Sequence, residues 1–397
     1  MKRFGWVLVL LVAASPAWAA KKVTVQQLRD LLSSLQTAKK SDADVSGELK
    51  QVELTEQLDR TVMNSLVDYV PGPLSTEQVY VLEAKSAALP PPAADLPTNP
   101  APDAAAQKAI LDKATDYAGK TFSQLPHLTA TKTTIRFQDN MEALAAGSGM
   151  QNSAQVATSN PDVVVASQFV HYIGSTESSI DSQNGAEKLP TAKDKTQWGA
   201  NGQIALQGQG PVLSTVLSEA QATGKLAWLR WESVNGKAAA VFTFAVEKKK
   251  SHYSVNYCCF PDVDQAGSVR FSGAMGAGQP GGSPGASGGA KGNLQTVTSW
   301  HNYKATVPYH GEIFVDPDTG IVVRLITIAE FKNSEVVHQE DQRIDYAPVS
   351  VDGKPLVLPV KSFINTEVVP NGDSGAGKYS TRHTLFTAEY KGYATAK

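Results

Sequence analysis

The sequence predicts an α+β protein: a small N-terminal helical module, then a large antiparallel curved sheet or unclosed β-barrel with one or two helices. Three observations lead there. Apolar residues recur at helical spacing between Val25 and Leu89, the period shortens to two from Leu128 onward, and turn signals such as Asn235-Gly236 punctuate the second part. The chain has 397 residues, 42% apolar and 19% charged, enough to bury a core and unlike a disordered composition. Thirty-six basic against 38 acidic residues give a net charge of −2, a poor match for a nucleic-acid backbone, so no nucleic-acid partner is expected.

Residues 1–19 read as a signal peptide. Lys2 and Arg3 supply the positive start, Trp6 to Ala14 a short apolar stretch, and Ala17-Trp18-Ala19 the small residues of a cleavage site. No cysteine follows that site, and no later segment is long and apolar enough for a spanning helix. The expectation is an export product that is periplasmic or secreted, with no transmembrane segment after cleavage.

Residues 20–89 form the helical module. Thr24 with Gln27 and Ser75 with Gln78 have the spacing of capping boxes. Val25, Leu28, Leu31, Leu32 and Leu35 make one apolar stripe, and Leu54, Leu58, Val62, Leu66 and Val70 a second that Pro71-Gly72-Pro73 stops. Val79, Val81, Leu82 and Leu89 continue a third, so three short helices are expected. The recurring starts at Thr24, Thr55 and Ser75 suggest a degenerate helical repeat, serving either as an interaction module or as a structural cap on the next domain. Residues 90–102, rich in Pro and Ala, read as a semi-rigid linker.

Residues 103–397 form the α+β domain. Asp103 is placed to cap a helix running to about Gly119. Strand-like runs follow at Thr131–Phe137, Val163–Ile173, Lys225–Val234, Ala238–Val246 and Ser251–Phe260. More lie at Gly311–Val315, Ile321–Phe331, Val336–Tyr346, Leu356–Ile364 and Tyr379–Tyr390, with one helix near Pro211–Thr223. Asn235-Gly236 supplies the positive φ angles of a type I′ hairpin, and Asp316-Pro317-Asp318-Thr319-Gly320 a tight turn. Residues 266–293, dominated by Gly, Ser, Ala and Pro, read as a disordered loop.

Catalytic patterns fail on context. Gly285-Ala286-Ser287-Gly288-Gly289 fits a nucleophile elbow in form but lies in the low-complexity loop, and Gly372 to Lys378 approaches a P-loop with Tyr379 where Ser or Thr is needed. The seven histidines make no close metal-ligand spacing. Asp341, Arg343 and Asp345 share one strand face and His338, Glu340 and Gln342 the other, which suggests a protected edge strand. No catalytic residue, metal site or cofactor is assigned. Adjacent Cys258 and Cys259 are redox or disulfide candidates, although vicinal Cα atoms sit closer than an unstrained disulfide prefers.

The aromatic residues are more suggestive. Trp228 and Trp231 fall on opposite faces of one strand, Phe242 and Phe244 share a face of its hairpin partner, and Tyr253 and Tyr257 share a face of the next. A hydrophobic-ligand pocket and ordinary core packing both use such residues, and these six are the candidate ligand-binding set.

Tyr309 to Gly320, followed by Ile344-Asp345-Tyr346, Val351-Asp352-Gly353 and Leu358-Pro359-Val360, resembles the C-terminal sheet of LolA-like outer-membrane lipoprotein-sorting proteins over about residues 305–365. The whole mature chain, including Leu54 to Leu58, Gln124-Leu125-Pro126 and Ser251-His252-Tyr253, resembles an uncharacterised family of exported soil-bacterial proteins. The LolA-like resemblance implies an unclosed barrel sheltering acyl chains on an apolar face, from which the N-terminal helices and the Gly-rich loop depart. The expected function is a non-enzymatic binding protein for a lipid or lipopeptide, with the helices contacting an envelope protein partner. The alternatives are an envelope scaffold without a small ligand, and a hydrolase whose site is not visible in the sequence.

Overall fold

The computed structural model describes residues 20–121, 124–138, 170–187, 205–206, 212–223, 225–261, 300–333, 335, 337–368 and 382–396. The expected signal peptide, the Gly-rich segment 266–293 and residues 163–169 of one expected strand lie outside them.

The N-terminal module has four helices and two short strands. Strand β1 (Lys21–Val23) leads into α1 (Val25–Thr37), α2 (Asp42–Lys50), β2 (Val52–Leu54), α3 (Arg60–Val67) and α4 (Pro73–Ser86). Thr24 caps α1 in the expected capping box. The second capping box does not form, because Pro73 at the first helical position starts α4 three residues early. Asp42 of α2 caps α4 instead: its carboxylate accepts from Leu74 N at 3.0 Å, Ser75 N at 2.9 Å and Ser75 Oγ at 2.5 Å. Leu54, expected on a helix, pairs in a two-stranded parallel sheet with Val23. Leu28, Leu32, Leu49, Leu58, Met63 and Leu66 fill the module's core.

After the linker, α5 (Ala104–Thr121) starts at Asp103, whose Oδ1 accepts from Ala106 N at 2.8 Å. The strands are β3 (Leu128–Gln138), β4 (His171–Gln183), β5 (Ala186–Glu187) and β6 (Ala205–Leu206), then α6 (Leu213–Thr223). The hairpin β7 (Ala227–Val234) and β8 (Lys237–Val246) follows, then β9 (Ser254–Pro261), β10 (Trp300–Thr306), β11 (Tyr309–Val315) and β12 (Val322–Ala329). Strands β13 (Val337–Val351), β14 (Lys354–Val368) and β15 (Arg382–Thr395) complete the series. Asn235 and Gly236 take positive φ of 52° and 77°, as the expected hairpin turn requires.

Ten strands form one antiparallel sheet in the order β5-β4-β3-β15-β14-β13-β12-β11-β8-β7, which does not close into a barrel. Strand β13 is central in it, so the expected protected edge is wrong: both of its polar faces are covered from above and below. Strands β10-β9-β6 make a small second sheet. At Gly311 of β11 a Cβ would meet Ile326 O at 1.9 Å, so only glycine fits this close approach.

Both faces of the sheet carry packed elements. On its core face, Phe242, Phe244, Tyr309, Ile313 and Leu325 pack against α5 and α6 through Ile110, Ala114, Leu213, Val216 and Leu217. On the opposite face, here the module face, α4 lays Val81, Ala84 and Ala87 on Phe137, Phe363 and Leu385. The hydrogen bonds of Asp42 outweigh the cost of its desolvation and hold its carboxyl below the usual range. Asp42→Ala removes the cap of the helix that joins module and sheet. It is expected to cost about 1 kcal/mol, read as a lower urea midpoint with an unchanged slope.

Candidate functional site

The module face carries charge where a sheet face packed under helices is ordinarily apolar. Arg230, Val241, Phe314, Arg324, Asp345, Lys361 and Glu389 are successive cross-strand partners from β7 to β15. Their side chains stand on one face because the strand period is two.

Arg230 donates to Glu312 from both terminal nitrogens at 3.1 and 2.8 Å, and to Glu232 at 2.6 Å. Arg324 donates to Glu232 at 3.1 Å and to Asp345 at 2.7 Å. Arg343 closes on Asp345 from Nη2 at 2.8 Å and reaches the carbonyl of Ala87, at the end of α4, at 3.3 Å. Phenyl rings support the cations: Arg324 lies 5.2 Å from the Phe314 centroid, and Arg343 and Lys361 lie 5.3 and 4.4 Å from that of Phe363. Desolvation pushes the Asp345 carboxyl up, but Arg343 and Arg324 overcome it and bring it to about 2. For Glu232 the balance is reversed, and burial raises it despite Arg230 and Arg324.

Two clefts open over this face. A groove of about 510 Å³ runs beside α4, floored by Ile135, Phe137 and Thr387 and walled by Thr76 and Tyr80. Tyr172 of β4 stands at one end, 47% exposed. A second cleft, of about 540 Å³, lies between the start of α3 with the linker (Leu58, Asp59, Thr61, Pro91, Pro92) and the ion pairs of Arg324, Arg343 and Asp345. Arg60, Glu83, Lys361 and Glu389 line both, so the two meet at these residues. Both Arg60 Nε (2.6 Å) and Lys361 Nζ (3.3 Å) donate to Glu83 Oε1.

The sequence-derived candidates lie elsewhere. A β-bulge between Trp228 and Arg230 brings the two tryptophans, expected on opposite faces, to the same side. Their ring centroids are 5.0 Å apart, and Trp228 is 5.6 Å from Phe242. Trp231 donates from Nε1 to Pro100 O of the linker at 2.8 Å. Phe242, Phe244 and Tyr253 are fully buried with Tyr309 in the core face. Tyr253 donates to the buried Glu340, which explains that carboxylate on the inward side of β13. None of these residues lines either cleft. The side chains of Tyr257, Cys258 and Cys259 lie outside the described residues; their backbone pairs β9 with β6 and β10.

Among the described residues several histidines lie against acids: His127 with Asp181, His252 with Glu219 at 2.5 Å, His310 with Glu330 at 2.9 Å and His383 with Glu367 at 4.0 Å. Among the described residues no three His, Cys, Asp or Glu side chains converge on a metal position. Sequence reasoning put Arg343 and Asp345 on one strand face but read them as edge protection, and it did not single out Arg60, Glu83, Arg324 or Lys361. The available signal was Arg324 alone among the apolar residues of Val322–Ala329, a charge inside a strand that has no reason to expose it.

Asp345→Asn leaves Arg343 buried without its carboxylate and Arg324 with Glu232 alone, and is expected to destabilise the fold by about 3–5 kcal/mol, measured by chemical denaturation. Asp345 also gives stability a pH dependence. Its folded carboxyl titrates near 2 against an ordinary 3.8, so its contribution, on the order of 2 kcal/mol, is full above about pH 4 and lost as pH falls toward 2. Unfolding titrations between pH 5 and 2 should show this loss in the native protein and lack this part of it in Asp345→Asn. Comparison with family models, curated proteins and solved structures finds no match to the chain.

Proposed function

We propose that this chain is an exported, non-enzymatic binding protein for a lipid or other hydrophobic ligand, and that the ligand's seat is the groove beside α4. The observation that carries the reading is the groove itself. Its 510 Å³ fall within the range of roughly 300–1,000 Å³ that small-molecule sites occupy. Tyr80, Ile135 and Phe137 give it an apolar lining, and an aromatic ring with half its surface in water marks its mouth. The leader-like residues 1–19 and the LolA-like pattern in residues 305–365 accord with an envelope protein that handles acyl chains. The seat differs from the one that resemblance implies, because α5 and α6 fill the core face.

A neutral apolar dye, N-phenyl-1-naphthylamine, tests where the seat lies. Tyr172→Ala removes a half-exposed ring and is expected to weaken dye binding about fivefold, from the apolar area lost. Trp231→Phe, away from the groove, should leave binding unchanged. The reverse pattern would return the seat to the tryptophan strand, and no dye binding by the unmodified protein would remove it altogether. Native mass spectrometry of protein purified mildly from its own envelope should show an added lipid mass that denaturation removes.

A further inference from the structure

The groove has two unlike ends. At the Tyr172 end, Glu77 places a carboxylate that accepts from Tyr172 N at 2.7 Å. At the opposite end, Arg60 and Lys361 converge on Glu83, whose side chain is only 4% exposed. Two cations thus share one buried carboxylate. Glu389, also at this end, pairs with the exposed Lys391 at 2.9 Å and lies in the field of Lys361 and Arg60 as well. Asp59 is engaged as the N-cap of α3, its Oδ1 accepting from Thr61 N at 2.7 Å.

The geometry leaves donors to spare. Among the described residues Arg60 uses its Nε on Glu83 and lies 5.7 Å from the Tyr80 ring centroid, while its two terminal amino groups meet no protein acceptor. Its side chain is 39% exposed. Among the described residues Lys361 has one acceptor, at the long distance of 3.3 Å, and burial together with Arg60 and Arg343 holds its amine below the ordinary lysine range against the pull of Glu83. A further anion at this junction would relieve both cations.

We infer that the groove takes a single-chain amphiphile with a carboxylate head group, of the fatty-acid class, lying along Ile135, Phe137 and Tyr80 with its carboxylate between Arg60 and Lys361. This rests on the groove being the ligand seat and adds the head group and the direction of binding. The spare Arg60 donors and the weakly held Lys361 amine suit a single carboxylate. Glu77 sets the opposite orientation against itself by repulsion. A volume of 510 Å³ suits one acyl chain rather than the two of a phospholipid.

The experiment is displacement of N-phenyl-1-naphthylamine from the full mature chain by dodecanoate, dodecanol and dodecyltrimethylammonium, each below its micelle concentration, with acetate as the chain-free anion. Dodecanoate is expected to displace the dye at least tenfold more tightly than dodecanol, because a carboxylate adds charge-assisted hydrogen bonds that the alcohol lacks. The ammonium should be the weakest of the three, and acetate should not displace. Arg60→Gln and Lys361→Met should each bring dodecanoate down to the level of dodecanol and leave dodecanol within twofold. Glu389→Gln, which removes a neighbouring half-exposed carboxylate, should strengthen dodecanoate alone.

Equal binding of acid and alcohol would overturn the head-group assignment and leave the groove reading standing. Displacement by none of the three amphiphiles would overturn both. If Arg60→Gln and Lys361→Met weaken acid and alcohol alike, these residues shape the groove rather than recognise the head. Displacement by acetate as strong as by dodecanoate would mark an anion site that does not read a chain.

Discussion

A ten-stranded sheet that does not close has two broad faces to keep from water, and the rest of this structure follows from how each is covered. Helices α5 and α6 cover one with aliphatic and aromatic side chains. The N-terminal module covers the other through a single helix, α4, about 14 residues long, which is too narrow to shield the whole face. What α4 leaves open must be made compatible with partial hydration, and the ion pairs and the two clefts lie there.

The charged face is a compromise between burial and exposure. Each arginine on it has at least one carboxylate partner and a phenyl ring beneath or beside it, so charge is neutralised and the apolar stems are packed. Asp345 stays ionised because two guanidiniums reach it, whereas Glu232 is nearer the limit at which burial defeats its partners. The Arg343 bond to Ala87 O ties this network to the end of α4, linking the position of the module to the electrostatics of the sheet. The same helix therefore sets both the apolar wall of the groove and the charged junction at its end.

The aromatic strands show how one feature serves either of two ends. Trp228, Phe242, Phe244, Tyr253 and Tyr309 meet edge-to-face at centroid separations of 5.4 to 5.7 Å, the arrangement of a packed core. Their number and spacing would be similar in a ligand pocket. In this structure α6 lies over them, and Leu213, Val216 and Leu217 share one core cluster with them.

Much of the fold is legible in the sequence because it depends on local chemistry. Thr24 and Asp103 cap their helices as hydroxyl and carboxylate do at any helix start, Asn235-Gly236 turns a hairpin because it tolerates positive φ, and the change of period near Leu128 marks where helices give way to strands. The sequence alone also bounded the electrostatics, through a net charge near zero. Tertiary structure decided what depends on residues far apart in the chain. Asp42 caps α4 across more than thirty residues, a bulge turns Trp228 and Trp231 to one side, and a polar strand that reads as an edge becomes the middle of the sheet once β12 and β14 pair with it. Arg60, Glu83 and Lys361 come from α3, α4 and β14, and no spacing rule joins them. Only the packing of the module on the sheet brings these three charges together.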